Sequence, residues 1–563
     1  MSEIIKFKKT FDDTIDYSNA RCDEGDYASA LAALDFYAEK PHANSDVYAH
    51  IADIYLELEK YDLAIKYWFI YLIKSPAKYR CDGYNGLGAN FYLKGDRNRA
   101  AYYFDMQFAC NNAEECVYND ILDEFIETEK DDSASKFKIV SVGDGEADVL
   151  EKIREYRKRH DLKSVCDNVR DLLQSENTEI RKASLFEAAY AEFYLGHTKV
   201  AKNYIDELFS SFTDNDFKSN FLRVCIYDRL GYHRKATEYA KNTTELEAED
   251  NDAYKHITLA YKYYENGFSS VENLIKKYIN KYPYNSDLQF VAGIVYYNEG
   301  DYSAAEKFFA RAYYYSREQL FAFYRNLAVQ AQNERPEGFP VWLNFSINYP
   351  DFEEKNIIET LGRIFGKEIT LSEIGDDDFY TLLDYTTNAE HPALFPAFVY
   401  AILAEGSDKQ CFRLKELLVD GAISDELKRK LISLFCESGQ TGKVAVTYAD
   451  YLRYVQIDMP DFADRGYDKF SQSYAFALGI CSIVAADDID KIFHGALEMQ
   501  KSIIKYGNVG KVKDGIELAC AMCVYSSVKL RGQGDFGIYD VFCVDKKNVD
   551  FILKLTEGRF KYD

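Results

Sequence analysis

Two stretches of this sequence carry residue types that phosphate chemistry uses. GQGDFG at residues 532–537 has the G-x-G-x-x-G spacing and contains Asp-Phe-Gly, and SGQTGKV at residues 438–444 is rich in glycine beside a lysine. No strand leads into the first, and no kinase catalytic loop accompanies it. The second lacks the spacing and the Ser or Thr of a phosphate-binding loop. We therefore expect a flexible loop at 532–537 and a connection between helices at 438–444.

Thiols, imidazoles and carboxylates are not spaced for metal or redox chemistry. Cys520 and Cys523 form C-x-x-C within the apolar helix GIELACAMCVYSSVKL, whereas a redox pair needs an exposed helix start and zinc needs a second pair. The eight histidines are dispersed without H-E-x-x-H. The run at 376–378 opens a helix with three adjacent aspartates and lacks the alternate spacing of a calcium loop. The sequence predicts no catalytic residue, no metal and no cofactor, and so a protein that is not an enzyme.

Composition indicates a large packed protein with few helix breakers. The chain has 563 residues, 47% of them hydrophobic, with only 9 prolines and 30 glycines. This length suggests three or four domain equivalents, and the scarcity of breakers leaves room for long helices. Its 48 tyrosines and 38 phenylalanines suit the irregular gaps between packed helices.

Charge and segment composition limit the partners and the location. The formal net charge of −25 opposes binding to phosphates of nucleic acids and to anionic lipids, and favours basic or neutral protein partners. The first 20 residues are charged throughout, and no run of about 18 apolar residues exists, so we expect neither a signal peptide nor a membrane span. The twelve cysteines are scattered singly, which predicts reduced thiols in a cytoplasmic protein.

The elements that organise the chain are internal repeats. EGDYASALAALDFYAEKP at 24–41 and NEGDYSAAEKFFARAYYYS at 298–316 share Gly-Asp-Tyr followed by small residues and an aromatic helix face. Small residues recur after such turns at spacings of 34 and 36, and then of 35, 35 and 34. These positions are Ala30, Ala64 and Ala100, followed by Ala201, Ala236, Val271 and Ala305.

The repeat resembles the tetratricopeptide family, whose units are helix pairs with a period near 34. In SDVYAHIADIYLELEKYDLAIKYWFIYLIKSP at 45–76, Tyr55, Ala64, Trp68 and Pro76 match the motif's Tyr, small residue, aromatic and closing proline. The resemblance implies an all-α fold, an α-solenoid that coils as a right-handed superhelix of helix hairpins. Small residues let paired helices approach closely, and neighbouring pairs must stack to bury their apolar faces.

Breaks in the repeat suggest five segments. The repeats fall into two blocks joined by an irregular insert, and prolines 336, 340 and 350 mark the end of the second block. Beyond it, amphipathic helices continue in a loosely HEAT-like spacing, and strand is expected only in short pieces such as 136–142. The predicted segments are 1–131 and 175–335 (repeat blocks), 132–174 (linker and helical insert), 336–508 (helical region) and 509–563 (C-terminal helical cap).

The family resemblance implies that the first helix of each unit lines a concave groove for a peptide or helix of a partner protein. An acidic and aromatic groove would favour a basic or apolar segment, so the main hypothesis is a non-enzymatic interaction scaffold. The candidate groove residues are Asp46, Asp53, Glu57, Phe186, Tyr190, Tyr194, Phe221, Arg229, Phe290, Tyr297 and Asn298.

The C-terminal segment supports an alternative function. IYDVFCVDKKNVDFILKLTEG at 538–558 resembles a helix-turn-helix of the lactose-repressor type, with Cys543 where that family usually has Gly. Its second helix, N-capped by Asp545, would present Lys546, Lys547 and Asn548 to DNA or transcription machinery, although Asp550 opposes phosphate. The competing hypothesis is a helical cap that seals the last solenoid helices.

Overall fold

The computed structural model describes residues 10–40, 43–110, 121–122, 124–125, 146–158, 161–213, 216–263, 268–333, 340, 342–345, 347–389, 391, 393–458, 460, 462, 468–483, 491–528 and 537–557. The chain forms two compact units. One consists of residues 1–130 together with 349–563, and the other of residues 131–348. The predicted five-segment division is a finer one and stays a prediction.

Three helix hairpins begin the first unit. Within each hairpin the two helices pack on each other, and each second helix also packs on the next hairpin. The helices are α1 (Phe11–Asp23), α2 (Tyr27–Ala38), α3 (Asp46–Glu57), α4 (Tyr61–Lys74), α5 (Arg80–Leu93) and α6 (Arg97–Phe108).

The Gly-Asp pair of the Gly-Asp-Tyr motif forms the turn inside a hairpin. Gly25 and Gly95 have φ of 74° and 90°, a left-handed conformation that glycine adopts without a steric penalty and that ends the first helix. Asp26 and Asp96 then accept hydrogen bonds from the main chain three residues later and N-cap the second helix. The motif therefore ends one helix and starts the next. It recurs at Gly300 in the second unit, where the glycine also has a positive φ.

Small residues and aromatic rings hold the two helices of a hairpin together, as the repeat predicts. A Cβ added to Gly88 would lie 2.5 Å from the ring of Phe104. The equivalent Cβ on Gly293 would lie 2.5 Å from the ring of Phe309. Since Cβ atoms do not approach carbon this closely, only glycine lets these helices pack at the observed distance.

The second unit continues the hairpin pattern. Residues of the predicted insert form its first hairpin, which packs on the following helix through Ile153, Val165 and Ala188. The helices are α7 (Glu146–Lys158), α8 (Leu162–Val169), α9 (Thr178–Tyr194), α10 (Thr198–Ser211), α11 (Phe217–Arg229), α12 (His233–Thr243), α13 (Asp250–Tyr263), α14 (Phe268–Lys281), α15 (Ser286–Asn298), α16 (Tyr302–Ser316) and α17 (Gln319–Asn333).

Residues 349–563 complete the first unit with helices and one β-hairpin around a common apolar core. Helix α21 packs on α4, and there the Nζ of Lys66 lies 2.6 Å from the Oδ2 of Asp420. The elements are α18 (Asp351–Phe365), α19 (Asp376–Asn388), α20 (Leu394–Glu405), α21 (Asp408–Val419), α22 (Asp425–Glu437), β1 (Lys443–Tyr448), β2 (Tyr451–Gln456), α23 (Asp468–Ile483), α24 (Lys491–Lys505), α25 (Gly515–Tyr525), α26 (Ile538–Val541) and α27 (Lys546–Thr556).

A β-hairpin lies within the region 336–508, for which the sequence predicts amphipathic helices. Strands β1 and β2 pair antiparallel across a two-residue turn in which Ala449 and Asp450 have φ of 46° and 62°. Val444 and Val446 alternate toward the core, a period that suits a strand. The fold class is all-α as predicted, because this two-stranded sheet is the only one within the described ranges.

Cysteine chemistry differs from the prediction at Cys81. Cys81 is disulfide-bonded, which corrects the expectation of twelve reduced thiols, because pairing depends on which thiols the fold brings together and not on their spacing. Cys520 and Cys523 are free and fully buried, and the Sγ of Cys523 lies 3.4 Å from that of Cys481. The interpretation of C-x-x-C as core is confirmed.

Two sequence predictions concern residues that the structure does not describe. The short strand at 136–142 lies outside the described residues, and so does the loop at 532–537 apart from its last glycine. Within the ranges that the structure covers, no helix combines the length and apolarity needed to span a bilayer.

Candidate protein-binding faces of the repeats

The first helices of the second unit carry a row of aromatic side chains. On α9, the rings of Phe186 and Tyr190 are 6.2 Å apart and those of Tyr190 and Tyr194 are 4.6 Å apart. The guanidinium of Arg157, on α7, lies 5.3 Å from the Tyr190 ring, within the range of a cation–π interaction. The predicted residues Phe186, Tyr190 and Tyr194 therefore form one continuous surface, which we call the aromatic face.

Tyr194, at the end of the aromatic face, is exposed to solvent but has several protein side chains nearby. Tyr194 is 56% exposed, yet the surrounding protein raises the pKa of its hydroxyl to about 12, mainly through loss of solvent and then through the charges of Tyr190, Cys225 and Tyr254. These neighbours lie on α9, α11 and α13. Tyr194 is therefore exposed to solvent, yet it interacts with side chains from first helices of three successive repeats.

Charged groups beside the aromatic face are paired. The buried carboxylate of Glu187 lies 2.9 Å from Arg157, and that of Asp252 lies 2.8 Å from Lys255. The Nζ of Lys255 is also 5.9 Å from the ring centre of Phe221, another predicted groove residue. Because these charges are compensated internally, the aromatic face offers mainly ring surfaces to a partner.

Two predicted residues are engaged within the protein. Arg229 places its guanidinium 4.8 Å from the Phe193 ring and donates a hydrogen bond to the Phe193 carbonyl at 3.3 Å. Phe290 is fully buried, with its ring 4.8 Å from that of Phe321 and 5.0 Å from that of Tyr324. The expectation that Phe290 lines a groove is corrected, because α17 packs over this part of α15.

The last two predicted residues contact the chain's own segment 340–348. The side-chain amide of Asn298 donates to the carbonyl of Leu343 at 2.9 Å, and its oxygen accepts from the N–H of Leu343 at 2.7 Å. Tyr297, fully buried, donates its hydroxyl hydrogen to the carbonyl of Pro340 at 2.8 Å. The C-terminal end of the first helix α15 therefore holds a non-helical main chain.

Side chains of the same segment pack on the neighbouring first helix. Trp342 stacks on Tyr261 of α13 with ring centres 5.7 Å apart, and Phe345 meets the same ring edge-on at 5.5 Å. Tyr324 of α17 donates to the carbonyl of Asn348 at 3.1 Å. The described residues of segment 340–348 thus contact α13, α15 and α17, which are all first helices of their repeats.

The first unit has an acidic face on its own first helices. Asp53 and Glu57 are exposed one turn apart on α3, and crowding by protein together with the charge of Glu57 raises the pKa of Asp53 to about 6. Asp46 is half-buried at the start of α3. Its charge adds to desolvation in raising the pKa of Asp82 on α5. The three predicted acidic residues therefore lie on one side of α3, and Asp82 extends their charge to α5.

The C-terminal effector candidates are exposed but partly engaged. Asp545 N-caps α27 as predicted, accepting from the N–H of Lys547 at 2.8 Å, and Cys543 takes the turn with φ of 53°. Asn548 donates to Glu517 at 2.6 Å, and Lys546 lies 5.7 Å from the ring centre of Tyr539. No observation favours a nucleic-acid function for this helix.

Sequence reasoning missed several members of these faces. Tyr254 and Tyr261 belong to a weak unit whose register needs a one-residue shift, and Arg157 lies in the stretch taken for an insert. The prolines near segment 340–348 predict only a boundary. Its aromatic residues, PVWLNFSIN, were the available signal that it packs against something.

The fold is a stack of helix hairpins whose first helices carry exposed faces, an arrangement similar to that of tetratricopeptide repeats. The family model for the tetratricopeptide repeat matches residues 45–67, within the unit on which the resemblance rests. No curated protein matches this sequence. The crystal structure of yeast Tom70 aligns over 97% of this chain and 96% of its own, at 10% identity and a TM-score of 0.22, a likeness too weak to support a statement about fold or function.

Proposed function

We propose that this protein is a non-enzymatic scaffold whose aromatic face binds a non-helical segment of a partner protein. The observation that carries the proposal is the reciprocal pair of hydrogen bonds between Asn298 and the main chain of Leu343. This pair supports the proposal because a first helix of this unit holds a main chain through a side-chain amide. Such contacts recognise a peptide backbone whatever its sequence, and the neighbouring rings then select side chains.

The chemistry of the two faces suggests the partner's character. Charges around Tyr190 and Tyr194 are internally paired, so the aromatic face suits an apolar or aromatic segment. The acidic face around Asp53 and Glu57 suits a basic one. One partner with both kinds of segment, or two different partners, would satisfy both faces.

The test compares proteins recovered with the intact chain and with a variant of the aromatic face. In Tyr190→Ala/Tyr194→Ala, two neighbouring rings are removed from an exposed surface. The matched control is Tyr232→Ala, because Tyr232 is 52% exposed but lies at the turn before α12, away from this face. Affinity purification with quantitative mass spectrometry should show partners retained by the wild type and the control and depleted at least tenfold by the double variant. Equal recovery by all three proteins would refute the assignment of the aromatic face.

A further inference from the structure

We infer that residues 340–348 are an internal ligand of the second unit, which a partner segment with the same order of side chains, aromatic–Leu–x–aromatic, displaces. The inference rests on the proposed function and deepens it by naming the partner's chemistry. Trp342, Leu343 and Phe345 supply the pattern in this chain.

Main-chain contacts show that the segment is bound as a ligand would be. Asn298 makes two hydrogen bonds to Leu343, Tyr297 makes one to the carbonyl of Pro340, and Tyr324 makes one to that of Asn348. Three side chains from α15 and α17 thus fix three points along nine residues. None of these bonds needs a particular side chain on the segment, so a peptide from another protein can form the same set.

Side-chain contacts give the specificity. Leu343 is 3% exposed, while Trp342 and Phe345 both contact the ring of Tyr261. A partner lacking the central apolar side chain would leave the Leu343 site empty. A partner lacking either aromatic residue would leave part of the Tyr261 ring uncovered.

The internal segment is suited to displacement. Trp342 remains 60% exposed, so most of its indole surface stays in contact with water and adds no binding free energy. Tethering keeps the segment at an effective concentration of about a millimolar or more, which favours occupancy despite weak contacts. A partner segment that also reaches Tyr190 and Tyr194 would add ring contacts that the internal segment does not make, and could therefore compete.

The first experiment measures binding of the segment in trans. A fluorescent peptide with the sequence of residues 340–348, PVWLNFSIN, is titrated against the full-length chain by fluorescence anisotropy. In the variant Trp342→Ala/Phe345→Ala, the internal copy is weakened, and we expect the peptide to bind at least tenfold more tightly than to the wild type. Adding Asn298→Ala should remove this gain. The control Asn242→Ala, an exposed asparagine on α12, should retain it. Binding no tighter than wild type, or a gain that survives Asn298→Ala, would overturn the inference.

A second experiment uses a chain whose internal segment is intact. The protein has two tryptophans, so Trp68→Phe leaves Trp342 as the single reporter. Adding unlabelled PVFLNFSIN should lower the fluorescence anisotropy of Trp342 as the internal segment leaves its site, whereas a peptide with Leu343 replaced by Asp should not. Unchanged anisotropy at millimolar peptide would refute displacement. Failure of both experiments, with partner recovery still dependent on Tyr190 and Tyr194, would leave the proposed function standing.

Discussion

Tyr103 and Leu452, 349 residues apart, are joined by a buried hydrogen bond in which the N–H of Leu452 donates to the Tyr103 hydroxyl at 2.9 Å. The same hydroxyl donates to the carbonyl of Asp450 at 2.5 Å. The last described helix of the first repeat block thereby holds the tip of the β-hairpin. This contact makes the N-terminal repeats and the C-terminal region parts of one unit.

The Tyr103 hydroxyl is expected to contribute strongly to stability. Tyr103→Phe keeps the ring but leaves the Leu452 N–H and the Asp450 carbonyl without this partner. The Leu452 N–H is buried and the Asp450 carbonyl is partly buried. One unsatisfied buried group costs about 1–3 kcal/mol, so we expect the free energy of unfolding to fall by about that amount. Urea unfolding of the variant measures this. Tyr92→Phe, which removes an exposed hydroxyl bonded to Glu124, is the control and should change little.

Helix packing predicts opposite effects for two glycine substitutions, one inside the repeat register and one outside it. Gly88→Ala would place a methyl group 2.5 Å from Phe104, and overpacking should lower the free energy of unfolding by about 1–3 kcal/mol. Gly362→Ala, in α18, meets nothing within 4 Å and should raise stability by about 0.5–1 kcal/mol. Thermal melting distinguishes the two. A Gly88→Ala variant as stable as the wild type would contradict the register.

Binding to the acidic face should depend on pH through Asp53. With a folded-state pKa raised to about 6, Asp53 gains a proton as pH falls from 7 to 5, whereas an unfolded aspartate does so near 4. The folded chain then binds more protons than the unfolded one, so this residue's contribution to stability rises as pH falls through that window. Affinity for a basic segment should fall over the same window, because a negative charge is lost.

Titration of a lysine-rich peptide at pH 7 and pH 5 measures this effect. Asp53→Asn should weaken binding at pH 7 and reduce its pH dependence, and Asp46→Lys/Asp53→Lys should weaken it further, as should added salt. Asp105→Asn, an exposed carboxylate on α6, is the control. Equal affinity of the control and Asp53→Asn would remove the acidic face from the proposal.

The C-terminal helix should act as a structural element. Ile552 is 2% exposed on α27, which packs on α24 and α25, so Ile552→Ala should cost about 2–4 kcal/mol. The exposed Lys547→Ala is the control and should melt like the wild type. Because Asn548 is bonded to Glu517, we expect no sequence-selective binding of duplex DNA at physiological salt. Selective binding at sub-micromolar protein, with melting insensitive to Ile552→Ala, would support the regulator instead.

The sequence by itself determined the hairpins. Gly25 and Asp26 end one helix and cap the next through contacts within three or four residues, and Gly88 meets Phe104 across a single turn. Interactions this short in sequence repeat whenever the motif does, so the all-α class and the first-helix positions of Tyr190 and Tyr194 could be predicted.

Only the tertiary structure decided which of those positions are open. Phe290 has the spacing of a groove residue, but α17 buries it, and Asn298 holds a segment that follows it by 45 residues. The hairpin tip reaches Tyr103 across some 350 residues. These contacts depend on which distant segments of the chain pack against each helix. A short motif does not determine them, because the same local pattern is compatible with many different packing partners.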